Sequence, residues 1–198
     1  MMINNIFMKI GICGNRGSFS EEATEHYCQK EQITQKDYNY LVTAENVLTA
    51  VENETVEKGI FPIENSNGGV VIESVYAMAH HVFAIEKLFE IDIRHFLLAR
   101  KGVKTDDIVT IASHPQALKQ CRMYLKRIWS GVDLKEYEDT AQAAKDLADG
   151  KLEEGVAVIA PEICAKLYEL DVLEENIQDL KFNFTTFVVA QKEATHNM

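Results

Sequence analysis

Gly59-Ile60-Phe61-Pro62-Ile63-Glu64-Asn65-Ser66-Asn67-Gly68-Gly69-Val70-Val71 is the stretch on which the reading of this chain turns. An apolar run stops abruptly in residues that both donate and accept hydrogen bonds. Two glycines follow, and the apolar residues then resume. A strand that ends at a ligand-facing loop has this grammar, glycine allowing the backbone to come close to something bound. In α/β chains such loops border the crevice outside the carboxyl ends of the strands. The same residues also fit an ordinary strand-to-helix connection with Asn and Gly as turn formers, and this stretch alone leaves both readings open.

Outward from it, apolar strand-like runs alternate with helical patterns. Lys9 to Cys13 reads as a short buried strand, broken by Gly14-Asn15-Arg16-Gly17, and Ser18 with Glu21 has the spacing of a capping box opening a helix. Tyr38 to Val42 is a second strand, and Ala44 to Glu54 a helix with Val47, Leu48 and Val51 on one face. After a helix at Ile72 to His80, the passage Phe83 to Ala99 reads as extended chain long enough to run from one lobe to another. A second lobe follows. Strand Ile108 to Ala112 leads into Ser113-His114-Pro115-Gln116, with a helix from Pro115 to Lys126. Leu134 to Tyr137 is a strand, Asp139-Thr140 opens an Ala-rich helix, and Val156 to Ala160 is another buried strand. Asn183 to Val189 is an edge-like or returning strand. This alternation predicts an α/β protein with a largely parallel sheet in each lobe.

Composition narrows the function classes. The 198 residues are 46% hydrophobic and 26% charged, as in an ordinary globular protein. No apolar run approaches the roughly 20 residues of a membrane span. The N-terminus shows no basic segment before its short apolar patch, so no signal peptide is expected, and the expected compartment is the cytoplasm. The four cysteines are widely spaced, which predicts reduced thiols and no metal site. A formal charge of −11 argues against nucleic acid and against long-range attraction of an anionic ligand.

Four stretches share one construction: Gly17 to Ser20, Glu64 to Gly69, Ser113 to Gln116 and Asp139 to Ala141. Each places hydroxyls or amides beside an expected helix N-terminus. Together they suit a small carboxylate-bearing ligand held by neutral donors and helix dipoles, although each cap taken singly is ordinary helix chemistry. His114 fits a helix cap or a proton carrier. Thr185 interrupts an apolar strand with a hydroxyl, and a hydroxyl facing the cleft is one reason for that. Neither the dinucleotide nor the P-loop glycine spacing is present.

In order along the chain, the motifs are Gly14-x-x-Gly17-Ser18-Phe19-Ser20, Pro62-Ile63-Glu64-Asn65-Ser66 with Gly68, Ser113-His114-Pro115-Gln116-Ala117-Leu118 with Gln120-Cys121, Asp139-Thr140-Ala141-x-Ala143-Ala144, and Asn183-x-Thr185-x-Phe187. This series resembles the prephenate dehydratase family from about Lys9 to Gln191. The resemblance implies a two-lobed fold like the type II periplasmic binding proteins, with a cleft between lobe 1 (about 9–85 plus 175–190) and lobe 2 (about 95–170). It implies prephenate as substrate, no cofactor, and a homodimer. It assigns catalysis to Thr185, and substrate binding to Ser18, Phe19, Asn65, Ser66, Gly68, Ser113, His114, Gln116, Thr140 and Phe187. Two departures stand out. The arginine of the family's Thr-Arg-Phe is Thr186 here, leaving Arg16 as the candidate compensating cation, and a chain stopping at Met198 is expected to lack the phenylalanine-sensing domain. The alternatives are a prephenate decarboxylase that does not aromatise its product, and a non-catalytic sensor of small carboxylates.

Overall fold

A computed structural model describes residues 7–194 of the chain. Residues 1–6, part of the segment read as carrying no signal peptide, lie outside them. The chain divides into two compact units, one running to Ile91 and resuming at Phe184, the other Asp92–Asn183.

Unit 1 contains β1 (Met8–Ile12), α1 (Phe19–Lys30), β2 (Lys36–Tyr40), α2 (Ala44–Glu52), β3 (Lys58–Asn65), β4 (Gly69–Val70), α3 (Ile72–His80), β5 (Ala84–Asp92) and β11 (Phe184–Gln191). Its sheet has the order β2-β1-β3-β11-β5, with β4 added to β3. The β1 pairings with β2 and β3 are parallel, as two helical crossovers require. Val47, Leu48 and Val51 of α2 are fully buried against this sheet. Gly59 makes the close approach possible, because a Cβ there would lie 2.5 Å from Val47 Cγ1 and 2.8 Å from Val51 Cγ2.

Unit 2 contains β6 (Phe96–Ala99), β7 (Thr110–Ser113), α4 (Pro115–Gln120), α5 (Arg122–Ile128), β8 (Asp133–Glu136), α6 (Thr140–Ala148), β9 (Val156–Ala160), α7 (Glu162–Leu167) and β10 (Asp171–Glu174). The sheet order is β10-β6-β9-β7-β8. β9 is buried on both faces. Val156, Val158 and Ala160 face a cluster with Ala144 and Leu147 of α6, while Ala157 and Ile159 face one with Leu125 and Trp129. This two-sided burial explains why the strand is apolar throughout rather than alternating.

Three expectations need correction. The sheets are mixed rather than largely parallel. β6 runs antiparallel to both β9 and β10, and β11 runs antiparallel to β3. β11 is the returning strand of the two readings, interior between β3 and β5. Residues 175–183 belong to unit 2 instead of the first lobe, because Ile177 is buried in the cluster around Trp129. The single helix expected from Pro115 to Lys126 is two, divided at Cys121. Asp179 causes that break. Its amide donates to the Gln120 carbonyl at 2.8 Å, and its carboxylate accepts from the Met123 and Tyr124 amides at 2.8 Å each. Among the described residues no helix is long and apolar enough to cross a membrane.

Candidate active site

In unit 1 the glycine loop and the loop after Asn65 both follow the carboxyl ends of parallel strands, β1 and β3. Gly17 adopts φ 88°, a left-handed conformation that glycine takes without a Cβ clash. Ser18 caps α1 by accepting from the Glu21 amide at 3.3 Å. Glu21 reaches back one residue beyond the usual capping box, accepting from the Gly17 amide at 2.5 Å, and also takes the Tyr40 hydroxyl at 2.8 Å. A buried carboxylate therefore holds the glycine loop. Sequence spacing paired Glu21 with Ser18, but Tyr40 left no signal of its part.

Antiparallel pairing brings the start of β11 to the carboxyl end of β3, with Thr185 opposite Asn65. Asn65 Oδ1 accepts from the Asn67 and Gly68 amides at 3.0 and 2.7 Å. Those two donors fix the orientation of the side-chain amide. Its Nδ2 then donates to the Phe184 carbonyl at 3.2 Å and to Thr185 Oγ1 at 2.9 Å. Ser66 completes the clamp: its amide donates to the Phe184 carbonyl at 2.8 Å, and its hydroxyl accepts from the Phe184 amide at 3.0 Å. Thr185 is 7% exposed. Since Asn65 donates to its oxygen, the Thr185 hydrogen is not used in that bond. Phe19 is half-buried, Gly68 exposed, and Arg16 exposed in the glycine loop.

In unit 2 the stretches around Ser113 and Thr140 lie at neighbouring strand ends, since β7 and β8 are parallel and the Tyr137 amide donates to the Ser113 carbonyl at 2.8 Å. His114 caps α4, its Nδ1 accepting from the Gln116 amide at 3.2 Å, which leaves the ring proton on Nε2. Asp139 caps α6 through the Gln142 amide at 2.7 Å and sets Thr140 in the first turn. Gln116 and Thr140 are both half-buried.

Two residues expected at the ligand face inward. Ser113 is 0% exposed and its hydroxyl donates to the Ile159 carbonyl at 2.6 Å, so it ties β7 to β9. Phe187 is 1% exposed and stacks on Phe89 at 5.8 Å between ring centroids. Both lie on the covered side of their strands, a parity that the apolar pattern alone did not reveal. Burial pushes the Cys13 thiol, beside the glycine loop, up to about 12. Burial likewise raises the Cys121 thiol, with the Asp179 charge adding to it. Neither supplies a thiolate nucleophile near neutral pH.

What remains is a hydroxyl whose hydrogen is not used in the Asn65 bond, beside the capped glycine loop and the Asn65 loop of the motif series described above. Residues 10–195 match the sequence model of a family described as prephenate dehydratase. The chain belongs to the prephenate dehydratase family. It is 35% identical over 187 residues to arogenate dehydratase 2 of Petunia hybrida, covering 94% of this chain and 45% of that protein. To the prephenate dehydratase of Methanocaldococcus jannaschii it is also 35% identical, over 90% of this chain and 62% of that protein. The chain thus spans about half to three-fifths of the length of these relatives. A solved prephenate dehydratase from Arthrobacter aurescens, in complex with L-Phe, superposes with a TM-score of 0.85 at 26% identity, covering 95% of this chain and 61% of that one. Thr186, the departure noted in the Thr-x-Phe segment, has its Oγ1 donating to Glu90 at 3.2 Å. A neutral side chain beside a carboxylate therefore stands next to Thr185.

Proposed function

We propose that the chain is a carbon–oxygen lyase that converts prephenate to phenylpyruvate, with Thr185 as the proton donor. The observation that carries this reading is the Asn65–Thr185 hydrogen bond. A threonine hydroxyl is a weak acid, and a donor into its oxygen polarises the O–H bond. The Asn65 amide supplies part of the help that a neighbouring guanidinium would otherwise give. In the step, the ring C–O bond breaks and the leaving hydroxyl takes a proton to become water. The C–C bond to the ring carboxylate breaks, and its electron pair enters the ring as carbon dioxide departs. Aromatisation drives the reaction, so the protein must orient the substrate and hold one proton donor in place.

Asn65, Ser66 and Gly68 order the loop beside Thr185. Ser18, Phe19, His114, Gln116 and Thr140 are proposed to line the substrate, held by caps and amides rather than by lysine or arginine. Ser113 and Phe187 support this arrangement from within the fold. Arg16 is the proposed compensating cation. The same reading includes prephenate as the partner molecule, no cofactor, and a cytoplasmic homodimer, which sedimentation of the purified chain would check. Incubation with prephenate tests the reaction. Appearance of phenylpyruvate, lost in Thr185→Ala, is expected, and full activity in that variant would remove Thr185 from its role.

Thr186 favours a second reading. With a threonine paired to Glu90 in place of the arginine, the chain would release carbon dioxide without expelling the hydroxyl. Mass analysis then shows a dihydro product in place of phenylpyruvate.

A further inference from the structure

Unit 2 carries a second feature outside the residues just described. An open cavity of about 820 Å³ is lined by Arg122, Tyr124, Lys126 and Arg127 of α5 and by the loop at Gln178-Asp179. That volume lies within the usual range of small-molecule sites, roughly 300–1,000 Å³. Arg122 and Lys126 stand four residues apart on one helix face, a like-charged spacing that weakens a helix. The chain has 31 acidic residues against 20 basic ones, yet among the described residues none of the three cations has a carboxylate within ion-pair distance. A local rule broken without a local compensation marks a position kept for something else.

The carboxylates that hydrogen-bond to α5 are already engaged. Asp179 accepts from two α5 amides. Glu174 accepts from the Tyr124 hydroxyl, and from Trp129 Nε1 at 3.4 Å. Burial, with Glu174 adding to it, pushes the Tyr124 hydroxyl up to about 12, so Tyr124 stays neutral. Arg127 lies over the Tyr124 ring, 5.8 Å from its centroid, which gives that guanidinium a defined position. We propose that this cavity is a binding site for a small oxyanion of two or more charges, its charged groups phosphate or carboxylate.

Calorimetric titration of the full chain with pyrophosphate and with citrate, at constant ionic strength set by sodium chloride, tests the proposal. Saturable binding of one anion per chain is expected. Arg122→Gln with Lys126→Gln should weaken it at least about tenfold, the usual effect of losing charge-assisted hydrogen bonds. Both side chains are exposed, so the double variant should unfold no more easily than the parent without ligand. Lys166→Gln removes one charge from α7, whose Cys164 packs on the opposite face of the sheet, and should leave affinity unchanged. Binding of pyrophosphate alone identifies a phosphate site, of citrate alone a carboxylate site, and of both a general oxyanion site. Each upholds the proposal. Failure of both anions to bind beyond chloride, or parental affinity in the double variant, would overturn it.

Discussion

Replacing Asn65 separates the two things its side chain does. Its oxygen orders the loop through the Asn67 and Gly68 amides, and its nitrogen holds Phe184 and polarises Thr185. Asn65→Ala removes all four bonds. At about 1 kcal/mol net per neutral hydrogen bond, discounted for a partly exposed loop, unit 1 should lose about 2–3 kcal/mol. A hydroxyl no longer held at the end of β11 should cost about 10²-fold in kcat, the scale of a misplacement near 1 Å. Asn65→Asp is the sharper probe. It keeps the oxygen that accepts from both loop amides, so it should be more stable than the alanine variant. It also turns a carboxylate toward Thr185, and the threonine hydroxyl will then donate to that carboxylate instead of to substrate. The expected order of kcat is therefore parent, then Ala, then Asp, while Asp exceeds Ala in stability. Urea unfolding and initial rates of phenylpyruvate formation measure the two orders. If Asp matched or exceeded Ala in kcat, the hydrogen of Thr185 would not be the one transferred.

Other perturbations follow from the same geometry. Thr185→Ala should lower kcat by about 10²–10⁴ with little change in KM, the usual share of a positioned proton donor, and steady-state kinetics would reveal a smaller effect. Gly59→Ala sets a Cβ against Val47 and Val51 and should destabilise the chain by about 1–3 kcal/mol; a neutral result in chemical denaturation would mean that α2 shifts freely. Leu147→Ala opens a cavity in a fully buried cluster and should cost about 2–5 kcal/mol by the same assay. His81 places Nδ1 2.8 Å from Glu52 and Nε2 3.0 Å from Glu45, both bonds being satisfied only by imidazolium. Burial lowers its pKa, but the bonds and charges of the two carboxylates outweigh burial and leave it raised. A raised folded pKa makes this contribution complete below the unfolded value near 6.5 and lost as pH rises through the folded value. The stability difference between parent and His81→Asn, small because the carboxylates are exposed, should shrink as pH rises; a constant difference would refute the ion pair.

The amino-acid sequence by itself determined what depends on near neighbours. The buried positions of α2, the caps at Ser18 and Asp139, and the apolar run of β9 all follow from spacing and side-chain chemistry within a few residues. The ordered motifs that carry family membership were legible for the same reason. Only the tertiary structure decided what depends on partners far along the chain. Asn65 meets Thr185 across 120 residues, and no local pattern announces that an amide will polarise that hydroxyl. Asp179 divides α4 from α5 through amides 55 and 56 residues away. Ser113 and Phe187 point inward because helices and neighbouring strands cover that side of their sheets, while the alternation along a strand marks two faces without saying which is covered. Strand direction follows the same logic. An apolar run is equally apolar read parallel or antiparallel, so the reversal of β6 and β11 emerges only when the ladders form.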